Sequence, residues 1–320
     1  MDTRPAGVPR VGPALPVSIP EAGEVEMMAF DARSTAAEVV AGIDLRGQRA
    51  VVTGGSSGIG RETARALAAA GAEVTIAVRD PKRTAGFTAE RLDLADLESV
   101  REFADRWRGP LHILVNNAAV MRPPESRTAQ GWELQFGTNH LGHFALATAL
   151  QPAMVAADGA RVVEVTSAAH LRAEVDFDDL NFEQRGYDPQ AAYDQSKTAN
   201  ILFVVEAARR WAHDGVTADA VNPGGVRGNL QRNLSAEELA ALDERARAGN
   251  GWKSPEQGAA TSVYVATAPS LAGVSGRYFE DCHEAGLHQP GGTGGVAPYA
   301  IDPANAARLW EISAEAVDAG

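Results

Sequence analysis

The hydrophobic positions of this chain fall into short apolar runs separated by stretches with helical spacing. "RAVVTGG" is an apolar run ending in glycines, and "IGRETARALAAAGA" follows it with helical spacing and a terminal glycine at Gly71. "EVTIAV", "LHILVNN", "GARVVEVTS" and "VTADAVNPG" are further runs of the kind that form strands buried on both faces, and a shorter one lies near residues 89–92. "LADLESVREFADRW" and "KTANILFVVEAARRWA" between them read as helices. Strands alternating with helices predict βαβ units, hence a mainly parallel sheet covered on both faces in one doubly wound α/β domain over residues 31–320. A last helix is expected near 303–317, after the glycine-rich "QPGGTGG" at 289–295, which reads as a flexible surface connector. Only "RDPKRTAGFT" joins the strand ending at Val78 to the next one. A βαβ crossover takes at least about 10–12 residues with its helix, so this helix should be vestigial.

Composition narrows the setting. The 320 residues are 45% hydrophobic, enough for one large core, and carry a net charge of −13 without a basic block. That charge argues against binding nucleic acid or an anionic membrane. No apolar run reaches the roughly 20 residues of a membrane span. Cys282 is the only cysteine, so no internal disulfide can form, and a cytoplasmic setting is expected. Residues 1–30 open with five prolines in "MDTRPAGVPRVGPALPVSIPEAGEVEMM" and no export signal, and read as a flexible tail.

Candidate chemistry sits at the ends of the apolar runs. After the first, "TGGSSGIG" leads directly into a helix, and glycines at 54, 58 and 60 let the backbone turn tightly and approach a pyrophosphate at the helix N-terminus. "YDQSK" places Tyr193 and Lys197 four residues apart, on one helical face. A cation there is expected to draw the phenol's pKa down toward neutrality, giving an acid/base pair. Each motif alone has a plainer reading, as a strand-to-helix turn or an exposed Tyr and Lys.

Taken in order, Thr53 to Gly60, Asp93-Leu94, Asn116-Asn117-Ala118, Asn139, Ser167, and Tyr193 with Lys197 resemble the short-chain dehydrogenase/reductase superfamily over most of residues 43–285. "YDQSKTANILF", "TNHLGHF" and "GRYFEDC" are similar to its retinol-dehydrogenase-like branch, which includes the WW-domain oxidoreductases. The resemblance implies a Rossmann-like fold and a nicotinamide cofactor on Thr53, Gly54, Ser56, Ser57, Gly58, Ile59, Gly60, Asp93, Leu94, Asn116 and Ala118. In it Tyr193 is the general acid or base, Lys197 holds the ribose, Ser167 binds the substrate oxygen, and Asn139 holds a water in a relay toward Lys197. Asp93 would bind the adenine amino group, although it could instead cap the next helix, a task that suits Asp96 better. Pro223, Gly224 and the N–H of Val226 would bind the carboxamide.

Two departures stand out, Gly228 in "PGGVRG" where the family's hydroxyl clamp belongs and the shortened crossover after Val78, while Ala119, where glycine is usual, should be tolerated. Enzymes of this fold that prefer NAD end the second strand in an acid. Here that position is Arg79, with Lys82 and Arg83 following and Asp80 opposing, so NADP(H) is expected. His140 with His143, and Cys282 with His283 and His288, lack complete zinc spacing and read as helix-flank and loop residues; no metal is expected. "EVDFDDLNFE" reads as a substrate-side loop. "LSAEELAALDERARAG" has a capping box, Ser235 with Glu238, and reads as a mobile lid within about 226–252, or else as a helix packed on the core. Residues 201–205 are apolar all round, implying burial against the sheet on one side and a partner subunit on the other, as in a homodimer or homotetramer.

The leading functional expectation is an NADP(H)-dependent reductase or alcohol dehydrogenase acting on a lipophilic ketone, aldehyde or alcohol. An epimerase-like enzyme without net redox change, and a catalytically silent regulatory protein, are the alternatives.

Overall fold

The computed structural model describes residues 30–249 and 251–319. The tail expected over residues 1–30 lies outside the described residues except for Phe30, whose ring meets Tyr264 edge-on at 6.2 Å.

A short helix α1 (Ala36–Val39), closed by a capping box between Thr35 and Glu38, leads into β1 (Arg49–Thr53) and α2 (Gly58–Ala69). Then follow β2 (Glu73–Val78), β3 (Thr88–Arg91), α3 (Leu97–Arg106), β4 (Ile113–Asn116), the single turn α4 (Leu134–Phe136) and α5 (Gly142–Val155). The remainder comprises β5 (Arg161–Val165), α6 (Pro189–Arg210), β6 (Thr217–Asn222), α7 (Ala236–Ala248), α8 (Pro255–Thr267), β7 (Tyr278–Glu280), β8 (His283–Glu284) and α9 (Pro303–Ala319). The strands form one sheet ordered β3-β2-β1-β4-β5-β6-β7-β8, parallel except for the final antiparallel pair. The winding reverses between β1 and β4, which opens the crevice where sheets of this type bind ligands.

The period of two along each strand divides the core. Val51, Leu114, Val162 and Ala220 face α3, α5 and α6, whereas Val52, Val115, Val163 and Val221 face α2 and α8. The crossover after β2 holds only a 3₁₀ turn, Pro81–Arg83, as its length predicts, and β3 starts one residue earlier than expected.

One expectation is overturned by packing. The face of α6 assigned to a partner subunit is covered by α9 of the same chain: Leu202 packs with Ala306 and Leu309, and Phe203 stacks on Trp310 with 5.9 Å between centroids. The reason lies in α9, which buries Ala306, Leu309, Trp310 and Ser313 along one stripe. The "QPGGTGG" segment is a surface loop, exposed over 289–293 and tied at its far end, where Glu280 accepts from the Gly295 N–H at 2.8 Å and the His288 Nδ1 meets the Gly294 carbonyl at 2.7 Å. Among the described residues, no helix is long and apolar enough to cross a membrane.

Candidate active site

β1 delivers Thr53 to the crevice fully buried, with its Oγ1 accepting from the N–H groups of Asn117 at 2.8 Å and Ala118 at 2.9 Å. Gly54 turns the chain at φ +68°, and a side chain on Gly60 would run into the Asn117 amide. Beyond the turn, Ser56, Ser57 and Gly58 are exposed and Ile59 is half-buried. Ser57 makes no side-chain cap, so the first N–H groups of the twelve-residue α2 are open to an anion. The cradle fits a pyrophosphate. Ala118 and Ala119 are half-buried along its floor, but the Asn116 side chain is turned away from it, buried and donating to Glu164 at 2.8 Å. Asn117, which carries no sequence signal of its own beyond the motif, is the residue that braces the glycines.

Along the flank, Asp93 is half-buried and accepts from the Ala95 N–H at 3.1 Å, while Asp96 caps α3 through the Glu98 N–H at 3.1 Å. Leu94 is buried under α5, which approaches so closely that a side chain on Gly142 would strike the Leu94 carbonyl. Arg79 ends β2 exposed. Asp80, its expected competitor, is occupied as cap of the 3₁₀ turn, accepting from the Lys82 N–H at 3.2 Å.

Ser167 and Tyr193 meet at the end of β5. Ser167, half-buried, caps its own turn by accepting from the Ala169 N–H at 3.2 Å, as its capping reading anticipates. Tyr193 enters from the first turns of α6, which Asp188 caps and Pro189 begins, and its phenol lies near enough to Ser167 for that hydroxyl to favour its ionised form. Burial pushes the Tyr193 phenol upward, opposed by Ser167 and Arg172. That reverses the expected drop: the Lys197 Nζ stands 5.8 Å from the ring centroid, and loss of water outweighs it. Lys197 is itself buried and donates to the Val165 carbonyl at 2.9 Å. Arg172 grips Asp194 at 2.8 and 2.5 Å and so fastens the turn after Ser167 to α6, a pairing that sequence reading did not anticipate.

Asn139 lies in a π-helical turn, Gly137–Leu141, a local irregularity frequent at functional sites. Its side chain accepts from the Val120 N–H at 2.9 Å and donates to the Val120 carbonyl and the Ser196 Oγ, both at 3.0 Å. It thereby ties the loop after β4 to α6. Its backbone carbonyl meets the His143 Nδ1 at 2.9 Å. His140 and His143, expected at a helix flank, are instead buried, and burial holds both at about 3.

After β6, Gly224 adopts φ +79° against the methylenes of Lys253, and the Lys253 N–H donates to the Gly225 carbonyl at 2.8 Å. Gly228 is extended, with open space where a side chain would stand. Gln231 holds this loop instead, accepting from the Gly228 N–H at 2.8 Å and donating to the Val226 carbonyl at 2.9 Å. The following α7 buries no residue; Leu239, Leu242 and Ala246 are half-buried. It is fastened to the loop after β4 by an Arg122–Glu238 ion pair and by Asn233 donating to the Met121 carbonyl at 3.0 Å.

Comparison with known proteins agrees with this geometry. Residues 48–239 match the family model described as short chain dehydrogenase. A probable oxidoreductase of Streptomyces lividans is 52% identical over 298 residues, covering 87% of this chain and 100% of that protein. Retinol dehydrogenase 13 of Homo sapiens is 39% identical over 290 residues, 85% of each chain. A crystal structure of an uncharacterized protein from Mycobacterium paratuberculosis superposes with a TM-score of 0.71 at 32% identity, over 89% of this chain and 98% of that one. The chain belongs to the short-chain dehydrogenase family of nicotinamide-dependent oxidoreductases, in the branch that holds the retinol dehydrogenases.

Proposed function

We propose that this protein is an NADP(H)-dependent oxidoreductase that interconverts a lipophilic ketone or aldehyde and its alcohol, with Tyr193 as general acid/base. The observation that carries the proposal is the placement of Ser167 just past the end of β5 together with the buried Tyr193 of α6 and with Lys197 one turn further along that helix. The bound nicotinamide supplies or accepts the hydride. Ser167 hydrogen-bonds the substrate oxygen as negative charge develops on it, and Tyr193 delivers its phenolic proton to that oxygen in reduction or removes it in oxidation. Lys197 favours the phenolate electrostatically and holds the cofactor ribose, and the open N–H groups of α2 hold the pyrophosphate. Asn139 fixes the loop beside the site and serves the proton relay.

Arg79, exposed and with Asp80 turned to its capping role, supports a preference for a 2′-phosphate. A lipophilic substrate is supported by the retinol dehydrogenases among the relatives and by α7, whose half-buried leucines make it a lid released when Arg122 and Glu238 part. A cytoplasmic setting is supported by the single cysteine, Cys282, which leaves no internal disulfide to form. The test is NADPH oxidation with retinoid, steroid and polyketide carbonyls. Tyr193→Phe should lower turnover about 10²–10⁴-fold while preserving NADPH binding. Wild-type turnover in that variant refutes the proposal.

A further inference from the structure

Beneath the site lies a carboxylate that the reaction as described does not use. Glu164, on the central strand β5, is 1% exposed. Its Oε2 accepts from the Asn116 Nδ2 at 2.8 Å, whereas its Oε1 has no hydrogen-bond partner. An acidic side chain is almost never fully buried without a counter-charge, so the one that answers Glu164 has to be identified.

The groups facing Glu164 can be taken element by element. β4 contributes the neutral Asn116, and β6 places Ala220 at the paired register position. α5 contributes His143, whose Nδ1 lies 3.8 Å from Oε1. That ring is committed elsewhere. Its Nδ1 meets the Asn139 carbonyl, which only accepts, so Nδ1 carries the hydrogen. Its Nε2 lies 2.9 Å from the Thr53 Oγ1, closer than the Val115 carbonyl at 3.4 Å that the same hydroxyl can reach, and so is the better acceptor for its hydrogen, Thr53 already accepting from two backbone N–H groups. His143 is therefore a neutral ring. α6 contributes Lys197, 2% exposed, whose one hydrogen-bond partner is the neutral carbonyl of Val165, the residue following Glu164. An ammonium with only a carbonyl to face is poorly compensated for the water it has lost.

We propose that Glu164 is a positioning residue for Lys197: sealed under the site, its carboxylate supplies the negative charge that keeps the lysine ammonium protonated. The proposal rests on the functional reading above, in which Lys197 must be a cation to favour the Tyr193 phenolate. Burial acts in opposite senses on the two groups, pushing Glu164 up and Lys197 down, and each is opposed by the other's charge.

The chain has three lysines, Lys82, Lys197 and Lys253, so a lysine ¹³Cε titration by NMR resolves each one in the full-length protein. Glu164→Gln keeps the shape and an acceptor for Asn116 and removes only the charge. Lys197 should then titrate at least about one pH unit lower, a tenfold change in its proton affinity, with Lys82 and Lys253 unmoved. In turnover, the limb that reports the deprotonated catalytic tyrosine should move to higher pH. An unchanged Lys197 titration overturns the proposal. Should the Gln variant fail to fold, Lys197→Met gives a second reading. It strands the carboxylate, so its loss of Tm should be larger at pH 8 than at pH 6, where Glu164 takes up a proton; an equal loss at both overturns the idea. The titration needs neither cofactor nor turnover. A folded wild type that never oxidises NADPH would sink the functional reading alone, and an active enzyme with an unmoved Lys197 would sink this one alone.

Discussion

Gly258→Ala adds one methyl group where three parts of the cofactor crevice converge. Gly258 is buried in the first turns of α8. A Cβ there would stand 2.5 Å from the Val226 Cγ2 in the loop after β6 and 3.1 Å from the Ile59 Cγ1 at the start of α2. Two terms oppose each other. Alanine is favoured over glycine in a helix by about 1 kcal/mol. Carbon atoms pack best at about 3.5–4.0 Å, and forcing a methylene-sized group into a filled space typically costs about 1–3 kcal/mol. The neighbours cannot yield freely. Valine is stiff at χ1, and the Val226 carbonyl is held by Gln231 at 2.9 Å while its residue bridges to Lys253. The net expectation is a destabilisation of up to about 2 kcal/mol, a fall in Tm of no more than about 8 °C. Because relief of the clash must displace Val226 or Ile59, which the proposed function places at the cofactor's carboxamide and pyrophosphate, NADPH affinity should fall severalfold. Thermal unfolding and a fluorescence titration with NADPH measure both. A raised Tm with an unchanged dissociation constant would show that α8 does not press on these loops, and the reasoning would fail.

Two other substitutions test the remaining contacts. Arg79→Asp replaces the exposed guanidinium at the end of β2 with a repelling charge and should shift kcat/KM from NADPH toward NADH by at least about tenfold, since charge-assisted hydrogen bonds contribute about 1.5–3 kcal/mol; an unchanged ratio removes Arg79 from the site. Trp310→Ala should cost about 3–5 kcal/mol, measured by urea unfolding, because the indole stacks on Phe203 and meets Phe144 at 4.9 Å and Trp211 at 5.8 Å. A loss under about 1 kcal/mol would mean that α9 is not a fixed cover of α6.

What the sequence makes legible follows from how each residue is constrained. Strands buried on both faces must be continuous apolar runs, and "EVTIAV" is β2 residue for residue. β3, with no fully buried residue, lacks that constraint, and its boundary shifts by one. The helices around Asn139 and after Ser254 are harder to read for the opposite reason. α5 is wedged between the sheet, α3 and α9, and α8 between the sheet, α1 and α2, so both are buried on several sides and lose the periodicity that marks an amphipathic helix. The residues proposed as catalytic stand out in the sequence because the resemblance to the family fixes their types and order: Asn139, Ser167, Tyr193 and Lys197. The residues that support them do not, since support depends on contacts between elements: Asn117 against Gly60, Arg172 on Asp194, Gln231 in place of a hydroxyl at Gly228.

Glu164 belongs to that second group, yet it does leave a trace in the sequence. "RVVEV" carries one acid in an otherwise apolar central strand, and a charge in that position has to be answered from outside the strand. Neither the strand nor "YDQSK" contains the answer. Only the packing of α6 on β5 brings Lys197 to the carbonyl of Val165, the residue next to Glu164 in the strand. The burial that makes each charge costly is also what makes each effective on the other, because so little water separates them. A surface glutamate could not set the protonation of a catalytic lysine; one sealed under the sheet's end, with its histidine neighbour held neutral by Asn139 and Thr53, can.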